Sequence, residues 1–280
     1  MKKILASLLL GTVCMTSAYS AEPDCEAYRN GVKEYDSCHY VSALDNFVEA
    51  NKLFPENGYI YYYIGKIMYM ANEYQKAFDY AIESLQYFKP EDAIASSDVY
   101  QFLGLMATNS SDEITDLSSE DTAKFYDSAV EIAPDYWKAY LERGTWYDIY
   151  RNEYSRSDAD YLKAINLNAK EIEPYSRLIW SYEERGMYDE AEKICRMCIA
   201  ADFEYPHHYD ILSKLLLRKG KRDEARDTLW KAFMKSNGYY FQGMETVDAF
   251  PEEDQQWFIN QIRSQAEAHP DQTYWKEYLE

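Results

Sequence analysis

The residues best suited to chemistry in this 280-residue chain are Cys195 and Cys198, set in the stretch GMYDEAEKICRMCIA at 186–200. A C-x-x-C pair exchanges disulfides when one sulfur is held as thiolate, which needs a helix N-terminus or a neighbouring cation. Here the helix opens near Asp189 and the cysteines follow well inside it, where the helix dipole gives the thiolate little help. A spacing of three puts both sulfurs on one face, close enough for a bridge that helix geometry would strain. Three readings follow: inert core thiols, a structural bridge, or an exported thiol–disulfide oxidoreductase. Cys25 and Cys38 differ, because thirteen residues of helix between them, at ~1.5 Å each, span about 20 Å and keep them unbridged.

Other chemistry is thinly supplied. The four histidines are His39, His207, His208 and His269, and His207 and His208 follow Pro206 with no cysteine or carboxylate at ligand spacing. An inter-helix turn is the reading that suits them. The chain contains no G-x-x-x-x-G-K-[ST], G-x-S-x-G or H-E-x-x-H. Carboxylates abound without a pairing that singles out an acid and a base. No enzymatic activity, metal or cofactor is expected.

The formal net charge is −20, from 29 Lys and Arg against 49 Asp and Glu. Nucleic acid and anionic lipid are bound by clustered Lys and Arg, and no such cluster occurs, so neither is an expected partner. Lys2 and Lys3 precede a short apolar run and then small residues, with Ala18 and Ser20 at the small-residue positions of a secretory signal. The run is shorter than the ~20 residues a bilayer span needs. Residues 1–20 are therefore expected to be a cleaved signal, with periplasmic or extracellular localisation and no membrane insertion afterwards. The alternative is a retained N-terminal anchor.

The chain repeats itself at a fixed offset. Gly186 and Ala191 recur as Gly220 and Ala225, and Gly31 and Ala43 as Gly65 and Ala77, in both cases 34 residues on. Alternating β-branched runs bounded by N-G or D-G turns are scarce, which leaves an all-α chain. Repeats of this length bury their apolar faces only against neighbours, so the expected architecture is a stack of helical units.

The period and its residues resemble the tetratricopeptide repeat, whose pattern runs W-x2-L-G-x2-Y, A-x3-F, then alanine and proline. Gly31, Ala43, Phe47, Ala50 and Pro55 match it in repeat 24–57, and Tyr61, Ile64, Gly65 and Ala77 in repeat 58–91. Repeat 97–136 carries Tyr100, Leu103, Gly104, Tyr126, Ala129 and Pro134, with extra residues including N-S-S-D between its helices. Repeat 137–171, with Tyr140, Gly144, Tyr147, Tyr161 and Ala164, needs one extra residue. Repeats 172–205 and 206–239 supply Tyr175, Leu178, Tyr182, Gly186 and Ala191, then Tyr209, Leu216, Gly220, Ala225, Leu229 and Ala232. The resemblance implies an all-α solenoid of about six helix-turn-helix repeats over 21–239, with 240–280 as a helical cap whose helix starts at Pro251 and carries Trp257, Phe258 and Ile262 inward. In this register Cys195 and Cys198 take the aromatic and alanine core slots of a second helix.

The resemblance also implies a function. In that family the first helices line a concave face, and ligand contacts come from their second, fifth, ninth, twelfth and thirteenth positions. Those positions give Tyr28 and Tyr35, then Tyr59, Tyr62, Lys66 and Tyr69, then Gln101, and Trp180 with Glu183 and Glu184. The family's carboxylate clamp uses Lys and Asn where this chain has Tyr28 and Val32, which argues against that ligand class. The expected protein is a non-enzymatic scaffold or adaptor that binds a peptide or protein segment, basic or aromatic-rich, on a tyrosine-rich face. A carbohydrate-binding solenoid is a further alternative, since aromatic faces also stack on sugar rings.

Overall fold

A computed structural model describes residues 22–115, 117–201, 205–236 and 243–279. The expected signal at 1–20 and the boundary expected at 239/240 lie outside them. The chain divides between Arg151 and Asn152 into two compact units. All regular structure among the described residues is helical.

In the first unit, α1 (Glu26–Asp36) pairs with α2 (Tyr40–Leu53), α3 (Gly58–Met70) with α4 (Tyr74–Tyr87), and α5 (Ala93–Asn109) with α6 (Ser119–Ile132). Helix α7 (Trp137–Trp146) packs on α5 and α6. Apolar spacing makes each helix: in α3, Ile60, Ile64 and Ile67 are buried at offsets of four and three, on one side of a 3.6-residue turn. Asn57 starts that helix by accepting from the Tyr59 and Ile60 amides at 3.1 and 3.4 Å. Ser118 and Asp121 cap α6 reciprocally.

The core is shared between neighbouring pairs. Tyr28, Ala43, Phe47 and Ala50 from the first pair close on Ile60, Ile64 and Ile67 from the second. A second cluster runs from Ala77 and Phe78 through Leu103 and Met106 to Phe125 and Ala139. Small residues set the closeness: a Cβ at Gly31 would lie 2.8 Å from the Phe47 ring, and one at Gly104 2.8 Å from the Tyr126 ring.

The second unit contains α8 (Tyr154–Leu167), α9 (Ile172–Glu184), α10 (Tyr188–Ala200), α11 (Pro206–Arg218) and α12 (Arg222–Ser236). Three short or terminal helices follow: α13 (Gly243–Val247), α14 (Glu252–Ala268) and α15 (Tyr274–Glu277). Phe258 and Ile262 of α14 are fully buried, Phe258 beside Phe233 of α12, and Trp257 packs edge-on against Trp230. Asp254 in the first turn of α14 accepts from Arg222 and Arg226, tying the terminal helix to α12.

The 34-residue period is written in the backbone as well. Cys38, Asn72, Asn152, Gly186 and Gly220 all have φ between +53° and +72°. Within each of the sets 38/72 and 152/186/220 they stand 34 residues apart, each in the turn that opens a second helix. Glycine and asparagine tolerate that left-handed conformation, whereas Cys38 holds it against the steric preference of a β-carbon. Between Ser111 and Glu113 a 3-10 turn occupies part of the long connection of the third pair, and Tyr147–Arg151 forms a π-helical turn after α7. A π turn is the usual way for a helix to absorb one added residue.

Candidate functional site

Helices α1, α3, α5 and α7 of the first unit bring a row of rings and charges together. Lys66 projects from the middle of α3 with its Nζ 4.5, 5.2 and 4.9 Å from the ring centroids of Tyr35, Tyr62 and Tyr63. Burial, with Lys138 nearby, lowers its pKa, and Asp98 and Asp36 oppose that shift. Tyr62 and Tyr69 both meet Phe102 of α5 edge-on, at 5.9 and 5.5 Å. Desolvation raises the Tyr62 phenol well above its ordinary range, so it is a neutral donor.

Beside these rings, Tyr62, Asp98, Gln101, Phe102, Lys138 and Glu142 border an open cavity of about 160 Å3. Asp98 accepts from the Tyr136 hydroxyl at 3.0 Å and lies 3.9 Å from the Lys138 ammonium. Burial pushes its carboxyl up, and Lys138, Tyr136 and Lys66 only partly offset that. Gln101 Nε2 donates to Ser97 Oγ at 3.2 Å and points toward Asp98 Oδ1 at 3.5 Å. Gln101 Oε1 is buried and meets no donor among the described residues.

The expected binding residues fall into four groups. Tyr35, Tyr62, Lys66 and Tyr69 are half-buried neighbours on one surface, and Gln101 is buried at the cavity edge. Tyr59 is half-buried, donating to Asp92 at 3.0 Å and packing on Phe88. Tyr28 corrects the expectation: it is 3 % exposed, with its ring edge-on to Phe47 and Tyr63, so it supports the core and presents nothing to a ligand. The fifth position of a terminal first helix is covered here because Phe47 and Tyr63 close over it. Trp180 belongs to the second unit, where the residue is 48 % exposed on α9. Near it on the same helix, burial raises Glu183 and an ion pair with Arg218 at 3.2 Å opposes the rise.

Sequence reasoning omitted Asp98, Phe102, Leu105, Tyr63 and Lys138. Counting second and ninth positions through repeats starting at 97 and 137 would have found Asp98, Leu105 and Lys138. Phe102 and Tyr63 fall outside those positions and enter only because neighbouring rings lean on them.

Cys195 in the middle of α10 and Cys198 in its last turn are fully buried, and the four described cysteines are free thiols. Cys195 Sγ donates to the His208 carbonyl at 3.3 Å. Burial pushes both thiols up to about 12, with each other's proximity adding to Cys195, so thiolate is scarce at neutral pH. The described residues contain no group of three metal-ligating side chains, and no helix among them is long and apolar enough to cross a membrane.

No protein-family model matches the sequence. Among solved structures, the chain is similar to the C-terminal part of a TPR repeat-containing protein from Cytophaga hutchinsonii, at 13 % identity and TM-score 0.58, over 89 % of this chain and 92 % of that one. It is also similar to PilW, a type IV pilus biogenesis factor, at 14 % identity and TM-score 0.56, over 78 % and 95 %. These likenesses define the class: the chain has the all-α fold of tetratricopeptide-repeat proteins.

Proposed function

We propose that this protein is a non-enzymatic scaffold that binds a segment of another protein along the first-helix surface of its first unit. The observation that carries the reading is the contiguous row of Tyr35, Tyr62, Tyr69 and Phe102 across three successive first helices, ending at an open cavity on α5 and α7. Partly buried rings give a ligand rigid apolar area at little entropic cost, and their hydroxyls fix its backbone. The buried, protonated state of Cys195 and Cys198 supports packing as their role rather than thiol exchange.

We also propose that the protein works outside the cytoplasm, on the strength of Lys2, Lys3, the apolar run and the small residues Ala18 and Ser20. Fractionation of the host, with N-terminal sequencing of the product, tests this; full-length protein confined to the cytoplasm would overturn it.

Photo-cross-linking in the host tests the surface. A photoreactive residue at Leu105, 40 % exposed beside the cavity, is expected to trap one protein partner. The same residue at Val48, on α2, is expected not to trap it. Cross-linking at Leu105 that persists when Tyr35, Tyr62 and Tyr69 are all changed to Ala would remove this surface as the site.

A further inference from the structure

We propose that the cavity between α3, α5 and α7 takes a lysine or arginine side chain from the bound segment, an inference that rests on the scaffold reading above. The cavity holds about 160 Å3, room for one long side chain and not for a folded ligand.

Its unsatisfied chemistry asks for a donor. Gln101 is 6 % exposed, its amide nitrogen is engaged by Ser97 and Asp98, and its Oε1 has no donor among the described residues. A buried acceptor without a partner is rare in folded proteins, and Gln101 is one of the residues that line the cavity. Ammonium and guanidinium groups only donate. A carboxylate would set a further acceptor against Gln101 Oε1.

The neighbouring charges agree. Asp98 accepts from the Tyr136 hydroxyl at 3.0 Å, but its contact to the Lys138 ammonium is long, 3.9 Å, on a side chain 45 % exposed, so an arriving cation displaces that ammonium readily. Glu142 stands on the same rim. The rings of Tyr62 and Phe102 border the cavity and offer π faces to a cation. Lys66, lodged over Tyr35, Tyr62 and Tyr63, shows that this surface already holds one cation on tyrosine rings.

The long-range field points the same way. Residues 22–151 carry 24 Asp and Glu against 10 Lys and Arg, a net −14 of the chain's −20. A basic segment is drawn to such a unit and an acidic one repelled, with the attraction weakening as salt rises.

The test uses full-length protein and a set of extended twelve-residue peptides, matched except for Arg, Lys, Leu or Glu at the central position, read by fluorescence anisotropy. Arg and Lys members are expected to bind at least ten-fold more tightly than the Glu member. Gln101→Leu and Asp98→Asn should each weaken them at least five-fold. Lys138→Met, which removes the competing ammonium, should tighten them several-fold. Circular dichroism confirms that each variant folds. Preference for the Glu member, or loss of binding on Lys138→Met, overturns the cation inference. If the Leu member binds best and binding is still lost when Tyr35, Tyr62 and Tyr69 become Ala, the groove reading stands and the inference falls. If no member shows binding that depends on those tyrosines, both fall.

Discussion

Replacing Gly31 with alanine puts the stacking argument under direct strain. The added Cβ would lie 2.8, 2.9 and 3.0 Å from three atoms of the Phe47 ring, inside the separation that carbon atoms tolerate. Phe47 has little room to retreat, being fully buried, stacked on Tyr63 at 4.9 Å and edge-on to Tyr28 at 5.8 Å. Overpacking of this kind costs about 1–3 kcal/mol. Alanine is also a better helix former than glycine by about 1 kcal/mol, which offsets part of the loss. The net expectation is a destabilisation of about 1 kcal/mol. Phe47→Leu alone loses ring contacts and costs less than the roughly 3–5 kcal/mol of a Phe→Ala change. Combining the two should recover about 1 kcal/mol relative to additivity, because the smaller side chain vacates the space the methyl needs. Hydrogen exchange across α1 and α2 is the assay, since in a stacked array the loss falls on the altered pair and its neighbour. Urea unfolding gives the total. A stabilised Gly31→Ala protein, or a double variant whose loss is simply the sum of its parents, would refute the close-crossing account.

Three other outcomes follow from the same structure. Burial alone would raise Glu192, but hydrogen bonds from Lys219, Arg196 and Lys221 outweigh it and hold the carboxyl at about 2, below its ordinary 4.5. Its contribution to stability is therefore complete above pH ~4.5 and lost as pH falls from there toward 2, and Glu192→Gln should flatten that part of an acid-unfolding profile; an unchanged acid limb would contradict it. In thiol labelling of native protein at pH 7.5, Cys38 is expected to react first and Cys195 and Cys198 only on unfolding, at rates that follow exposure and thiolate fraction; fast native labelling of Cys198 would revive the redox reading. Cys38→Asn should stabilise the first pair by about 0.5–1 kcal/mol, because the turn holds φ at +62° and asparagine occupies the equivalent turns at Asn72 and Asn152; a lower melting temperature would show that the Cys38 side chain earns its place by contacts.

Much of the architecture was legible from local pattern, because a repeat writes the same physical requirement many times. Gly31 and Phe47 fell in the small and aromatic slots of the repeat, its register put Cys195 and Cys198 in core slots, and Pro251 marked the start of the last long helix, because such signals are local or recur at 34 residues. The all-helical class and the inward C-x-x-C thus follow from the order of amino acids. The site was legible only in outline. Positions along a helix specify which side a residue faces, and Tyr35, Tyr62 and Lys66 do lie together on one surface. They do not say how deeply a neighbour covers that surface: Tyr28 vanished beneath Phe47 and Tyr63, while Asp98, Phe102 and Lys138 came together from helices nearly forty residues apart. Burial, the orphaned Gln101 oxygen and the long Asp98–Lys138 contact depend on how helix pairs lean on one another, a property of three-dimensional packing that no single segment encodes.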